Sequence, residues 1–327
     1  MKIAVVGCGA LGSYYGAMLC RAGQEVHFLL RSDFERVRRH GVNVISPNGD
    51  FNARPKCSTD SAQIGPCDLV IIGLKTTANG EFAQLLPPLV GVHTAILTLQ
   101  NGLGNEHALA QLFPVEQVMG GLCFVSLNRI EPGVVRHFAH GKIILGEYRR
   151  WPEPRTHDIA GMFRHAGVPC EVSTDIERTH WQKLVWNIPF NGLGVAAAAG
   201  WDAVERGSVE QNEPLGSILP SDALLADPKW EGKVRGLMAE TIATANALNH
   251  AIEPEYAEFE VQRTHKMGAY RASTLIDFDL RRPLELESLF LFPQSEARRA
   301  GVSTPHLDGL CRVLTGLADR VGIPWRV

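Results

Sequence analysis

Lys2-Ile3-Ala4-Val5-Val6-Gly7-Cys8-Gly9-Ala10-Leu11-Gly12 is the stretch whose reading decides the fold. Five residues with the apolar run of a buried strand lead straight into G-x-G-x-x-G, and residues 13–22 continue as a helical pattern that Gly23 stops. Strand, glycine loop and helix in that order form the first half of a dinucleotide-binding β-α-β unit. Gly7 permits the tight turn, Gly9 lets backbone approach a pyrophosphate, and Gly12 allows close helix–strand packing. The pyrophosphate then lies over the positive end of the helix. Gly7, Cys8, Gly9, Ala10, Leu11 and Gly12 are therefore the first candidate cofactor contacts. Cys8 reads as a small residue serving the turn rather than as a redox group.

Outward from this loop, short apolar runs alternate with helical patterns, as a parallel sheet with crossover helices requires. Strands are expected at 25–30, 68–74, 95–99, 118–126, 134–138, 142–146 and 168–173. The end of the second strand selects the dinucleotide. An NAD-binding chain places Asp or Glu there for the ribose hydroxyls, whereas this strand ends in Arg31-Ser32. A guanidinium at that point suits the 2′-phosphate of NADPH. Asp33, two residues on from Arg31, stands as a competing acceptor.

Ligands of open parallel sheets bind beyond the carboxyl ends of the strands. Two later strand ends carry polar groups, Leu74-Lys75-Thr76-Thr77 and Gln100-Asn101-Gly102. Lys75 and Asn101 read as groups beside the nicotinamide half of the cofactor. A solvated loop lysine and a plain Asn-Gly turn are the simpler alternatives.

After about residue 174 the texture changes. Residues 176–199, 233–249, 256–276, 284–300 and 304–321 all read as helices, and 201–227 reads as a long loop holding a short helix. The expected architecture is α/β: a Rossmann-type, doubly wound parallel sheet over 1–174, followed by an all-helical substrate or catalytic domain over 175–327.

Within the first of those helices Lys183, Asn187 and Asn191 recur every four positions among Leu184, Val185, Trp186, Ile188 and Phe190. At about 100° per residue they share one face. A polar stripe on so apolar a helix belongs in a cleft or interior, where each polar group needs a partner. Pro189 is expected to kink the helix or open its hydrogen-bond ladder. Hydride addition to a ketone leaves charge on oxygen. A lysine can supply the proton, more readily when partly buried, and amides can orient the substrate without adding charge. The alternative is an interdomain hydrogen-bond network. Nearer the C-terminus, Ser273, Asp277, Glu285 and Glu287 surround Pro283; a proline at a helix start with acids in the first turn is an ordinary N-terminal pattern, and spacing does not choose between the two glutamates.

Composition removes other classes. The formal charge is −3 with 45% hydrophobic and 20% charged residues, which does not describe a surface built for nucleic acid or anionic membrane. No apolar run approaches the roughly 20 residues of a bilayer span, and the opening residues do not read as a signal peptide. The seven cysteines are scattered without a C-x-x-C pair, which points away from a metal site and toward a reducing cytoplasm.

Taken together, residues 7–12, 30–31, 74–75, 100–104, 181–191 and 273–287 resemble the ketopantoate reductase (2-dehydropantoate 2-reductase) family, over about residues 1–318. The resemblance implies NADPH-dependent reduction of 2-dehydropantoate to (R)-pantoate, on the route to pantothenate and coenzyme A, by a cytoplasmic enzyme that forms a homodimer. It implies Lys183 as proton donor, with Glu285 near it. Asn187, Asn191, Ser273 and Asn101 would contact the substrate. Arg31 would meet the 2′-phosphate, Lys75 and Asn101 would lie beside the nicotinamide, and the backbone of Ser126 would touch the cofactor. Three departures stand on the substrate side: Tyr270 where the family commonly has asparagine, an apparent insertion over 201–217, and Trp201 at another asparagine position. Rival readings are an NADP-dependent reductase of another 2-keto acid, and an NADPH-binding sensor without turnover. A β-hydroxyacid dehydrogenase would carry methionine at Leu11.

Overall fold

The structure, a computed structural model, describes residues 1–326. Contacts divide the chain into two units: Met1–Asn101 with Asn105–Glu177, and Gly102–Gly104 with Arg178–Val327.

The first unit is built on one ten-stranded sheet. Its strands are β1 Lys2–Val6, β2 Glu25–Leu29, β3 Val42–Ile45, β4 Phe51–Ala53, β5 Lys56–Ser58, β6 Cys67–Ile72, β7 Val90–Thr98, β8 Val118–Glu131, β9 Val134–Glu147 and β10 Cys170–Val172. The order is β4-β3-β9-β8-β7-β6-β1-β2-β5, with β10 beside β9. From β5 through to β8 the neighbours are parallel; β8 and β9 form a long antiparallel hairpin. The sheet is thus mixed, not wholly parallel.

Strand β1 lies between β2 and β6, and Ile3, Ala4, Val5 and Val6 are all essentially inaccessible. That explains the unbroken apolar run, since both faces of the sheet are covered. Ile3 and Val5 join the core under helix α1, Ala10–Arg21; Ala4 and Val6 join the opposite one, with Phe82, Leu86 and Leu89.

Three short strands, β3, β4 and β5, were not expected from the sequence. The runs 134–138 and 142–146, expected as separate strands, are one strand, β9. It passes through a bulge at His140 (φ +64°) and Gly141 (φ +130°), where the pairing steps from Lys142–Phe124 to His140–Val125.

The helix Ile176–Ala196, which belongs to the second unit from Arg178 onward, runs through Pro189. Proline has no N–H, so the turn bond to the Val185 carbonyl is missing. The helix joins Pro228–Ala247 and Pro305–Val321 in a core that includes Leu184, Val185, Phe190, Leu237 and Leu314. The expected helix 256–276 is two helices, Glu255–His265 and Ser273–Asp279, separated at Gly268 (φ +65°). The expected helix 284–300 begins later: Pro283 precedes it, Leu284 N–H donates to the Pro324 carbonyl, and the first turns are a π-helix over Glu287–Leu291. Segment 201–227 holds two short helices, Trp201–Arg206 and Ser221–Ala226.

Candidate active site

The glycine loop joins β1 to α1. Gly7 has φ +94°, and a Cβ there would stand 2.2 Å from the Leu74 nitrogen beyond the end of β6. A Cβ on Gly12 would stand 2.2 Å from the Gly7 carbonyl oxygen. Both glycines are required by backbone meeting backbone. Gly9 differs: nothing lies within 4 Å of a Cβ built there. The space beside Gly9 is a cradle that a side chain would fill. As N-cap of α1, Gly9 offers no side-chain acceptor to the first turn, so that turn's N–H groups suit an anion. The loop therefore fits a dinucleotide pyrophosphate on its own geometry. Cys8 faces inward, its thiol lying 3.5 Å from the Val5 carbonyl and 3.6 Å from that of Leu29. Burial, with Cys57 and Asp33 nearby, pushes this thiol well above the ordinary range, so it stays protonated near neutral pH.

Arg31 follows β2 and its side chain is 77% exposed, with Nη1 3.3 Å from Glu81 Oε1. Asp33 is turned away from solvent and bonded to Arg129 at 2.6 Å. Lys75 is half-buried at the start of the 3-10 turn Thr76–Glu81, where its carbonyl accepts from Ala78 N–H. Ser126 is half-buried on β8, opposite Ala139.

An amide chain that the sequence reading missed fixes the turn after β7. Thr98 Oγ1 donates to Gln100 Oε1 at 3.0 Å, Gln100 Nε2 to Asn79 Oδ1 at 2.8 Å, and Asn79 Nδ2 to Asn105 Oδ1 at 2.9 Å. Asn105 Nδ2 closes back on the Asn101 carbonyl at 3.1 Å. Gln100 and Asn105 are buried, so these groups hold one another in place of water. Asn79 and Asn105 gave no periodic signal; only the tertiary fold brings them to the strand end.

In the second unit the polar stripe is buried as the sequence suggested: Asn187 is 6% and Asn191 2% exposed, and Lys183 is half-buried. Asn191 Oδ1 accepts from Thr274 N–H at 3.0 Å and lies 3.5 Å from Ser273 Oγ, while Asn191 Nδ2 lies 3.5 Å from Asn187 Oδ1. Asn187, Asn191, Ser273 and Thr274 thus form one group. Thr274 enters through its backbone, which no sequence pattern marks. Glu285 is half-buried and precedes the π-turn, to which its carbonyl is bonded through Leu289 N–H, whereas Glu287 is exposed. Neither acid sits in the first turn of a helix begun by Pro283.

Tyr270 packs edge-on against Trp186, with ring centroids 5.8 Å apart, and its carbonyl accepts from Ser221 N–H. Trp201 packs on Trp230 at 5.1 Å with Lys229 and Lys233 over its ring. Among the described residues no three His, Cys, Asp or Glu side chains are grouped to hold a metal, and no helix is long and apolar enough to cross a membrane.

Comparison with known proteins gives the class first: the chain is an oxidoreductase with a Rossmann-type sheet and a helical second part. Residues 3–150 match the family profile described as ketopantoate reductase PanE/ApbA, and residues 212–318 match the one described as its C-terminal part. The chain belongs to the ketopantoate reductase family. It is 38% identical to the 2-dehydropantoate 2-reductase of Nostoc sp. over 98% of this chain and 96% of that protein. It is 30% identical to the enzyme of the same name from Halobacterium salinarum, over 98% and 100%. Among solved structures, the 2-dehydropantoate 2-reductase of Geobacter metallireducens GS-15 superposes with a TM-score of 0.87 at 43% identity, covering 97% of this chain and all of that one. A D-mandelate dehydrogenase, solved with NADH and anilino(oxo)acetate, shares the fold at a TM-score of 0.83 and 20% identity, over 99% of this chain and 100% of that one.

Proposed function

We propose that the protein reduces 2-dehydropantoate to (R)-pantoate with NADPH, on the route to pantothenate and coenzyme A in the cytoplasm. The observation that carries this reading is the buried asparagine pair one and two turns beyond Lys183, set among the apolar residues Leu184, Val185, Trp186, Ile188 and Phe190 of the same helix, in a chain of this family.

The nicotinamide supplies a hydride when bound. The glycine loop and the first turn of α1 hold the pyrophosphate, and Arg31 meets the 2′-phosphate with its exposed guanidinium. Lys75 and Asn101 border the nicotinamide half, and the Ser126 backbone adds a contact. On the substrate side, Lys183 Nζ gives its proton to the carbonyl oxygen as charge builds there, and Glu285 orients the ammonium. Asn187 presents an amide to the keto acid without adding charge. Asn191, committed to Thr274, fixes the helix that carries Ser273.

A second reading, reduction of another 2-keto acid, is favoured by Tyr270, whose aromatic ring lies against Trp186 beside Asn187 in the chain. A steady-state panel decides: NADPH oxidation is expected with 2-dehydropantoate, clearly poorer with NADH, and Arg31→Ala raises KM for NADPH far more than for NADH. Turnover confined to other 2-keto acids selects the second reading, and none with any keto acid removes both.

A further inference from the structure

The carboxylate nearest Arg31 in sequence is Asp33, whose Cα lies within about 7 Å of that of Arg31. It stands at the N-cap of helix α2, Phe34–His40, where an aspartate ordinarily accepts from the first turn's N–H groups. It makes no such bond. It is 5% exposed and is spent on the β8–β9 hairpin instead. Asp33 Oδ2 accepts from Arg129 Nη1 at 2.6 Å, with Gly133 N–H at 3.4 Å; Oδ1 accepts from Ser32 Oγ at 3.0 Å. A buried carboxylate needs such a partner, so Arg129 determines where this charge points. The next acid, Glu35, pairs with Arg38 and Arg39 on its own helix.

We propose that Arg129 sets cofactor specificity by withdrawing Asp33 from the adenosine ribose. With Asp33 held in the hairpin, the residues that follow β2 present Arg31 without a carboxylate of their own. The one acid facing its guanidinium is Glu81, on a different segment and 3.3 Å away, an arrangement that favours a 2′-phosphate once Arg31 exchanges that surface pair for it. With Asp33 released, the same strand end offers an acceptor to ribose hydroxyls and repels a phosphate. Arg129 is a positioning residue here, acting through Asp33. The inference rests on the NADPH reading of Arg31, and its test is built to fail separately from that reading.

The test uses the full chain and three variants: Arg129→Met, Asp33→Asn, and the two combined. Dissociation constants for NADPH and NADH are read by quenching of tryptophan fluorescence, alongside kcat/KM for each dinucleotide. Arg129→Met is expected to shift the NADPH-to-NADH preference toward NADH by at least about tenfold, and adding Asp33→Asn returns it to within about threefold of the parent. A shift that Asp33→Asn does not reverse means Arg129 meets the phosphate directly and overturns the proposal. An unmoved preference with lowered thermal stability reduces the pair to a hairpin anchor and also overturns it. Should Arg129→Met fail to fold, Asp33→Asn alone decides: an unchanged preference is expected, and a tenfold gain toward NADPH shows that Asp33 already faces the cofactor. A parent protein preferring NADH would remove the phosphate role of Arg31 alone, because the variants are read relative to the parent.

Discussion

The side-chain oxygen of Asn191 accepts the backbone N–H of Thr274 at 3.0 Å, so a residue of one helix caps the first turn of another. The N-cap of that second helix is Ala272, which has no side chain able to do so. Asn191→Ala leaves a buried N–H without its acceptor, at about 1–3 kcal/mol. Thermal unfolding should shift downward, and kcat/KM for the keto acid should fall through the displaced Ser273. An unchanged melting temperature would remove the capping role.

Lys183→Ala tests the proton donor. Loss of general acid catalysis is expected to lower kcat by about 10²–10⁴. Binding of the dinucleotide, which we propose rests on the glycine loop, should stay within about twofold. Stopped-flow single turnovers separate the two, and an unaltered rate of nicotinamide oxidation would exclude the lysine as acid.

Gly7 and Gly9 should part company on substitution. Gly7→Ala places a Cβ 2.2 Å from the Leu74 nitrogen at a φ of +94°, adding about 1–3 kcal/mol of backbone strain before the collision is counted. Low soluble yield or a depressed melting temperature is the expected result. Gly9→Ala meets nothing within 4 Å, so the chain should fold as before while its affinity for dinucleotide drops. Calorimetry with isothermal titration distinguishes these, and full cofactor affinity in Gly9→Ala would contradict the cradle.

Stability should decline in alkali. Burial raises Cys57 from 9.0 to about 11, and Cys170 and Cys311 to about 12. A folded-state value above the unfolded one means the unfolded chain releases these protons first. The stability they leave intact below about pH 9 is therefore lost as pH rises through 9 toward 11 and 12. Melting temperatures followed over that range check the sign, and reaction with a disulfide reagent at about pH 8 should be much slower in the native protein than in urea. Rapid native labelling of Cys170 or Cys311 would contradict it.

What the sequence made legible follows from what local patterns encode. The run through β1 and the glycine loop was readable because a doubly covered strand is apolar at every position and the turn admits only glycine at Gly7 and Gly12. The stripe at Asn187 and Asn191 was readable because helical period and apolar surroundings agree. The strands β3, β4 and β5, of four, three and three residues, were not. Runs so short bury few side chains and are set by their partners rather than by propensity. The start of a new helix at Ser273 has no local signal, because its cap comes from Asn191, far away in sequence. The fate of Asp33 was hidden for the same reason, its partner Arg129 lying across the sheet's hairpin.

One small segment limits how such a chain can be dissected. Gly102–Gly104 belongs to the second unit although sequence places it deep within the first. Leu103 N–H donates to the Ser288 carbonyl at 2.9 Å, and a Cβ on Gly102 would stand 2.4 Å from that same oxygen. A fragment ending at Glu177 would carry this tripeptide away from its acceptor, and a fragment starting at Arg178 would be missing Leu103 from its core. Chimaeras that exchange helical parts between relatives therefore need three upstream residues grafted along with the downstream half.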